Sequence, residues 1–214
     1  IMRSIFEVAE IDKVIKESPM KHIKNLKVVP VEPDPFNKEE TKKILSTPTK
    51  RDQELNMLEF NFSTGLRPSE IIALGWEDID QINWTVDICR AKVSGQFKTT
   101  KTLKSERTIE LLKPAIKALK KQLAHSYALP PIEIEVIQDD TKTVIKQDWR
   151  PVFLNSNTQK AHSSERNICA RFWTTHLKNA GIRYRPFKTT RHTYASQLLS
   201  TGIISKDWIA KQMG

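Results

Sequence analysis

The chain has 214 residues, of which 38% are hydrophobic and 28% are charged, and its net charge is +10. This length is sufficient to bury a core, and the composition is ordinary for a globular domain. No apolar run approaches the length of a membrane span and no charged-then-apolar leader is present, so we expect neither a membrane protein nor a secreted one.

The N-terminal part is predicted to be one short helix followed by a linker. Ile5, Val8, Ile11 and Ile15 recur at helical spacing, which predicts an amphipathic helix over 4–17. Prolines then punctuate an extended stretch that ends at Phe36, and this composition is typical of a linker between domains.

Helical signals dominate the next part of the chain. Asn37 and Glu40 form a candidate capping box for a helix over 38–46. A helix over about 50–63 is predicted to end at Gly65, and Pro68 suits the first turn of the helix that follows.

Alternating apolar residues predict strands in the central part. These are a strand over 82–88, its partner over 106–112, a polar hairpin over 132–147 and a short strand over 152–154. Further helices are predicted over about 113–126, 164–179, 188–200 and 205–213. The predicted fold class is therefore mainly α with a small antiparallel β-sheet (α+β).

Basic residues are concentrated in two stretches. Residues 90–121 contain ten Lys and Arg against two Glu, and residues 166–191 contain seven Lys and Arg and no acidic residue. Charge gathered in this way can follow a phosphate backbone by releasing counterions. The sequence favours a polyanionic partner, with nucleic acid first and an anionic membrane second, but the charge alone does not distinguish an enzyme from a binding protein.

The cysteines and histidines give no sign of a metal site. Cys89 and Cys169 have neither metal-ligand nor disulfide-framework spacing, and the five histidines form no HExxH motif or Cys/His array. We therefore predict no metal, and a reducing cytoplasmic location.

Three motifs carry the functional prediction. The first, TGLRPSEI over 64–71, places Arg67 at a helix start with Glu70 one turn later. The second, KTTRHTYAS over 188–196, contains Arg191. The third, TKTLKSERTI over 100–109, places Lys101 ahead of a strand. Taken singly, these strings have plain interpretations: a surface ion pair, a basic amphipathic helix, and lysines that merely touch phosphates.

Together, and in their order along the chain, the three motifs resemble the conserved boxes of the tyrosine recombinases, the family of the phage integrases. The resemblance covers about 33–214 and implies the catalytic-domain fold of DNA breaking-rejoining enzymes. It implies a catalytic domain over 37–214, a linker over 29–36, and the last helix of an N-terminal core-binding domain over 1–28. Because the first residue is Ile1 rather than Met, we expect the chain to be a piece of a longer protein.

The resemblance also implies the site residues. Arg67 and Arg191 would grip the scissile phosphate, since two forked cations match its non-bridging oxygens. Lys101 would protonate the leaving 5′ oxygen. Lys98 and Lys104 lie close to it in the sequence and are alternative candidates for the same position in the family pattern. Glu70 would orient neighbouring groups without touching DNA. Further DNA contacts are expected from Lys98, Lys104, Arg107, Arg183 and Arg185.

The resemblance implies a site-specific recombinase that works through a 3′-phosphotyrosyl intermediate and needs neither ATP nor a metal cofactor. Its partners would be double-stranded DNA at attachment sites and three further copies of the full-length protein, in a tetramer. The activity would integrate or excise a phage or genomic island in a bacterial host.

Two departures from the family pattern matter. Lys188 stands where the second box usually has histidine, and a protonated lysine donates a hydrogen bond but cannot accept one. The sequence also stops at Gly214, where the family continues with a histidine and then the nucleophilic tyrosine. We expect these 214 residues alone not to cleave DNA.

Other functions remain open from the sequence. A non-enzymatic DNA-binding regulator would explain the charge but not the joint presence of the three motifs. A type IB topoisomerase would share the phosphotyrosine chemistry. A metal-dependent nuclease is weakly supported, because no clustered carboxylates suggest a two-metal site.

Overall fold

The computed structural model describes residues 2–24, 32–100 and 106–214. The chain divides into two compact units, Ile1–Glu32 and Pro33–Gly214.

Over residues 2–24, the first unit forms one helix, α1 (Met2–Ile11), followed by turns. The helix is shorter than the predicted 4–17. Lys13 adopts a left-handed backbone conformation, with φ of 58°, which cannot continue a right-handed helix. Ile5, Val8 and Ile11 do form one stripe, and all three side chains are exposed.

The second unit begins with the three helices predicted from the sequence: α2 (Lys38–Ser46), α3 (Asp52–Thr64) and α4 (Pro68–Ala73). The capping box of α2 is confirmed, since the Asn37 side chain accepts from the Glu40 N–H and the Glu40 side chain accepts from the Asn37 N–H. These reciprocal bonds satisfy two of the N–H groups that a helix start leaves without a partner.

A three-stranded antiparallel sheet follows, with strand order β1 (Ile79–Asp80), β2 (Thr85–Ile88) and β5 (Arg107–Glu110). The predicted pairing of β2 with 106–112 is confirmed. The predicted strand over 82–88 is wrong in its first half, because Ile82 lies in a turn and is 91% exposed. Asp80 makes that turn by accepting hydrogen bonds from the backbone N–H groups of Ile82 and Asn83.

A second sheet of four strands was not predicted as a unit. Its order is β3 (Arg90–Val93), β4 (Gln96–Thr99), β6 (Ile132–Ile137) and β7 (Val144–Trp149). The β6–β7 hairpin matches the prediction, but β4 and β6 pair in parallel, so the sheet is mixed. The predicted short strand over 152–154 is absent from the described residues, where isolated bridges join Gly75 to Pro151 and Leu154 to Ala161.

The remaining helices complete the second unit. These are α5 (Lys113–Ser126), α6 (Glu165–Ile168) continuing through a π-helical segment into α7 (Thr174–Asn179), α8 (Thr189–Ser200) and α9 (Lys206–Met213). In the part of the chain that the structure describes, no helix combines the length and the apolar character that a membrane span requires.

The main core lies between the helices and the three-stranded sheet. Trp173 is fully buried at its centre, and Phe36 packs edge-on against Trp173 at 5.8 Å between ring centroids. Phe187 packs on Trp173 in the same way at 5.6 Å. The segment before α2 and the segment before α8 therefore meet in this core, which fixes where α8 begins.

Candidate active site

The first motif forms the turn between α3 and α4. Gly65 ends α3 in the left-handed conformation, with φ of 64°, and its N–H donates to the Asn61 carbonyl over 2.9 Å. The Tyr194 ring packs so closely on this glycine that an added Cβ would lie 2.4 Å from Cδ1. Glycine is required here by both its backbone conformation and this contact, and the turn delivers Arg67 to the start of α4.

Glu70 binds Arg67 through both the backbone and the side chain. One carboxylate oxygen accepts from the Arg67 N–H over 2.8 Å, and the other accepts from the Arg67 Nη1 over 2.7 Å. The Arg67 side chain remains 42% exposed, whereas that of Glu70 is 2% exposed. The carboxylate therefore anchors the guanidinium from beneath and leaves its outer part accessible.

Arg107 of β5 holds the same carboxylate from the other side. Its Nη2 lies 3.0 Å from Oε2 of Glu70, its Nη1 lies 3.3 Å from Oε1, and its Nε donates to the Gln212 carbonyl over 2.9 Å. Burial acts to raise the pKa of Glu70, but hydrogen bonds and charge from Arg107 and then Arg67 hold it below its usual value. The carboxylate is therefore ionised between two arginines.

Arg191 reaches the same place from α8. Its Nη1 donates to the Gly65 carbonyl over 2.9 Å, and its Nη2 donates to the Met213 carbonyl over 2.8 Å. The Nη2 atoms of Arg67 and Arg191 both lie within hydrogen-bond distance of the Gly214 main-chain oxygen, at 2.9 and 3.3 Å. The two arginines predicted to act together thus converge on one oxygen.

The end of α9 supplies the carbonyl groups in this cluster. The last carbonyls of a helix have no partner within it and carry partial negative charge, which favours nearby cations. The main-chain oxygens of Gln212, Met213 and Gly214 accept from three different arginines. Sequence reasoning missed this role of α9, because helical periodicity does not reveal what lies against a helix end.

The arrangement concentrates positive charge. Burial, and after it the charges of Arg67 and Arg107, lower the pKa of Arg191 to about 10, while Glu70 opposes them. The guanidinium is still protonated at neutral pH, so the site holds cations that repel one another. An anion placed between Arg67 and Arg191 would relieve that repulsion, which makes the site suited to bind one.

Buried hydrogen bonds fix the position of α8. The Thr193 hydroxyl accepts from the Phe36 N–H over 3.0 Å, and the Thr190 hydroxyl accepts from the Asn61 side-chain amide over 2.7 Å. Thr190 and Thr193 flank Arg191 along the chain and are fully buried. The helix is therefore attached to both α3 and the segment before α2, and the position of Arg191 follows from those attachments.

Of the four lysines predicted to act at the site, the two that the structure describes, Lys98 and Lys188, do not hydrogen-bond within the arginine cluster. Lys188 immediately precedes α8 and is exposed, and Lys98 lies half-buried on β4. Lys101 and Lys104 lie outside the described residues. An open cavity of about 560 Å³ borders the arginine cluster. It is lined by Glu106, Arg107, Thr108, Ala210, Lys211 and Gly214.

Arg185 was expected to contact DNA, but the structure gives it partners within the protein. Its side chain is 9% exposed, bonds Asp34 over 2.7 Å and Glu40 over 2.9 Å, and lies over the Phe36 ring. Arg183 also pairs with Asp34, but its side chain is 66% exposed. A phosphate could therefore reach Arg183, whereas Arg185 would first have to lose two ion pairs.

The described residues include no group of three His, Cys, Asp or Glu side chains that could hold a metal ion.

Several known proteins are similar to this chain in sequence. The model of the phage integrase family matches residues 35–214. Prophage integrase IntR of Escherichia coli is 32% identical over 218 residues, covering 100% of this chain and 52% of IntR. Tyrosine recombinase XerC of Thermodesulfovibrio yellowstonii is 28% identical, covering 94% of this chain and 60% of XerC. The chain spans about half the length of the curated relatives that it matches from end to end.

Two solved structures of integrases have a fold similar to that of this chain. The Tn1549 transposon integrase in complex with circular intermediate DNA has a TM-score of 0.71 at 17% identity, covering 99% of this chain and 67% of that chain. The lambda integrase tetramer bound to a Holliday junction has a TM-score of 0.67 at 15% identity, covering 99% of this chain and 53% of that chain. At such low identities these matches establish the fold, which is that of the predicted catalytic domain.

Proposed function

Because this chain belongs to the phage integrase family, we propose that it forms the DNA-cleaving part of a site-specific recombinase. The observation that carries the proposal is the convergence of Arg67 and Arg191 on one oxygen atom. Two forked cations so placed can bind both non-bridging oxygens of a phosphodiester.

The proposed reaction is attack by a tyrosine oxygen on the phosphorus of a DNA strand. The tyrosine hydroxyl gives up its proton to solvent as a P–O bond to tyrosine forms, the P–O5′ bond breaks, and the 5′ oxygen takes a proton and leaves as a hydroxyl. Negative charge grows on the non-bridging oxygens during the attack, and the guanidinium groups of Arg67 and Arg191 stabilise it. The strand is then held as a 3′-phosphotyrosine, and the reverse reaction with another strand's 5′ hydroxyl rejoins it.

Lysines would supply the proton and a further contact. Lys101 is the proposed donor to the leaving oxygen, since neighbouring arginines would lower its pKa and ease proton release. Lys188, exposed at the start of α8, would donate a hydrogen bond to the phosphate in place of the family's usual histidine.

The tyrosine of the proposed intermediate differs from the three in this sequence. Tyr194 is 4% exposed beneath Gly65, and burial raises its pKa to about 12. Tyr127 packs edge-on against Trp76, and Tyr184 lies beside the Cys169 thiol. Among the described residues, Arg67 and Arg191 hydrogen-bond to Glu70 and to main-chain oxygens and to none of these hydroxyls, so we propose that these 214 residues alone do not cleave DNA.

The partners we propose are double-stranded DNA at attachment sites and, in the full-length protein, three further copies of it. The net charge of +10 supports the first, since it favours a polyanion. The proposed biological role is integration or excision of a phage or genomic island in the cytoplasm of a bacterial host.

The test uses the intact protein and a suicide duplex, in which a nick lets the cleaved end diffuse away and traps the covalent adduct. Excision of the phage or genomic island that encodes the protein would give a circle of DNA. The duplex carries the sequence of the junction at which the two ends of that island meet in the circle. Wild-type protein should form an adduct that resists detergent, while the double variant Arg67→Ala, Arg191→Ala should form none and keep much of its duplex affinity.

Two results would contradict the proposal. A wild-type protein that binds duplex tightly but forms no adduct would be a regulator. Site-independent relaxation of supercoiled plasmid would instead favour the topoisomerase interpretation.

A further inference from the structure

We propose that Arg107 is a positioning residue for strand cleavage, which sets Arg67 through the Glu70 carboxylate and does not contact DNA. This inference rests on the proposed recombinase function. It replaces the expectation from the sequence that Arg107 binds a DNA phosphate.

The contacts of Arg107 point into the protein. Its side chain is 6% exposed, and that of Glu70 is 2% exposed. Two of its nitrogens face the two oxygens of Glu70, and the third donates to the Gln212 carbonyl. A planar guanidinium can make these contacts together, whereas a lysine offers a single ammonium.

Sharing one carboxylate between two arginines affects the charge at the site. If Arg67 were the sole partner of a buried Glu70, its charge would be used to compensate that carboxylate. Because Arg107 also neutralises Glu70, more of the Arg67 charge is available to a phosphate. Arg67 keeps a 42% exposed side chain while one nitrogen stays 2.7 Å from Glu70, which fits this division of roles.

Arg107 also connects the cluster to α9. It binds the Gln212 carbonyl, and the next two carbonyls along the chain hold Arg191 and Arg67. The Gln212 side chain strengthens the connection by accepting from the Glu110 N–H over 3.2 Å. Strand β5 therefore braces both the carboxylate under Arg67 and the helix end that orients Arg191.

The experiment compares Arg107→Lys and Arg107→Gln with wild type in the intact protein, measuring adduct formation on the suicide duplex and duplex affinity over a range of salt concentrations. Mispositioning by about 1 Å can slow a reaction about 100-fold, so we expect cleavage to fall by about that factor in both variants. Affinity should change little, and the slope of log affinity against log salt should stay at the wild-type value.

A second measurement tests whether Arg107 acts through Glu70. In the cycle of Glu70→Gln, Arg107→Gln and the double variant, the loss of cleavage should be strongly non-additive, with the double variant close to the worse single one. Arg90→Gln is the matched control, because Arg90 is likewise a sheet arginine, 7% exposed and paired with Asp78 and Glu77. Below its melting temperature this control should cleave at nearly the wild-type rate.

A salt slope shallower by about 0.9 in Arg107→Gln would mean a lost phosphate contact and would overturn the inference while leaving the recombinase function intact. Additive losses in the cycle, or an equal loss in Arg90→Gln, would also overturn it, the latter by indicating general destabilisation. If wild-type protein forms no adduct at all, the proposed function fails and this inference fails with it.

Discussion

Arg67 and Arg191 each direct an Nη2 atom at the same main-chain oxygen, that of Gly214, over 2.9 and 3.3 Å. They come from the starts of two different helices, α4 and α8, which are far apart in the sequence. The turn at Gly65 joins them, since it leads into Arg67 and its carbonyl accepts from Arg191.

Replacing Glu70 should change how stability depends on pH. The carboxyl pKa is lowered in the folded protein from its ordinary value of 4.5, so Glu70 contributes stability that is present above pH 4.5 and lost as the pH falls through the folded pKa. Glu70→Gln should lower the free energy of unfolding by about 3 kcal/mol at pH 7, because it removes the buried carboxylate that pairs with both Arg107 and Arg67. Below pH 4.5 the difference from wild type should shrink, as measured by chemical denaturation at a series of pH values.

The matched control is Glu135→Gln on the exposed side of β6, which should leave the curve unchanged. A difference between Glu70→Gln and wild type that stays constant down to pH 3 would contradict the ion-pair role of Glu70.

Gly65→Ala should destabilise the protein and slow cleavage. The left-handed backbone at this position costs about 1–2 kcal/mol for a residue with a Cβ, and the Tyr194 ring must also move. Because Arg191 binds the Gly65 carbonyl, the displaced turn should also reduce adduct formation.

Gly202→Ala separates the two effects. Gly202 has φ of 66° but nothing within 4 Å of an added Cβ. It should therefore show the backbone cost alone, with cleavage intact. Equal unfolding free energies for the two variants would show that the contact with Tyr194 has no energetic consequence.

Lys188 should act as a hydrogen-bond donor to the phosphate. Removing one bond to a charged group costs about 1.5–3 kcal/mol, so Lys188→Ala should slow cleavage about 10-fold to 100-fold. Lys188→His should retain more activity below pH 6.5, where the imidazole is protonated, than at pH 8. Rates of adduct formation between pH 5.5 and 8.5 measure this, and a flat profile for Lys188→His would exclude the role.

Arg185 and Arg183 should respond in opposite ways to neutralisation. Arg185→Gln breaks ion pairs to Asp34 and Glu40 and the contact with Phe36, so it should lower the melting temperature and leave the salt dependence of DNA binding unchanged. Arg183→Gln, at an exposed position, should leave the melting temperature nearly unchanged and reduce the salt slope by about 0.9 if Arg183 touches a phosphate. Calorimetry and binding titrations at several salt concentrations distinguish the two.

Local signals in the sequence determined most of the helices. The Asn37–Glu40 capping box and the bounds of α5 are confirmed, since caps, prolines and helical spacing act over a few residues. The motifs also identified Arg67, Glu70 and Arg191 as one group, and the family that they indicated is confirmed.

Only the tertiary structure decided which charges face each other. Arg107 and Arg185 are indistinguishable in the sequence from basic residues at a DNA surface, yet Glu70 and Asp34 draw them into the protein. Packing also determines that β4 pairs with β6 in parallel and that the carbonyls at the end of α9 bind arginines. The physical reason is that burial and ion pairing depend on groups brought together by packing, and periodicity along the chain carries no information about them.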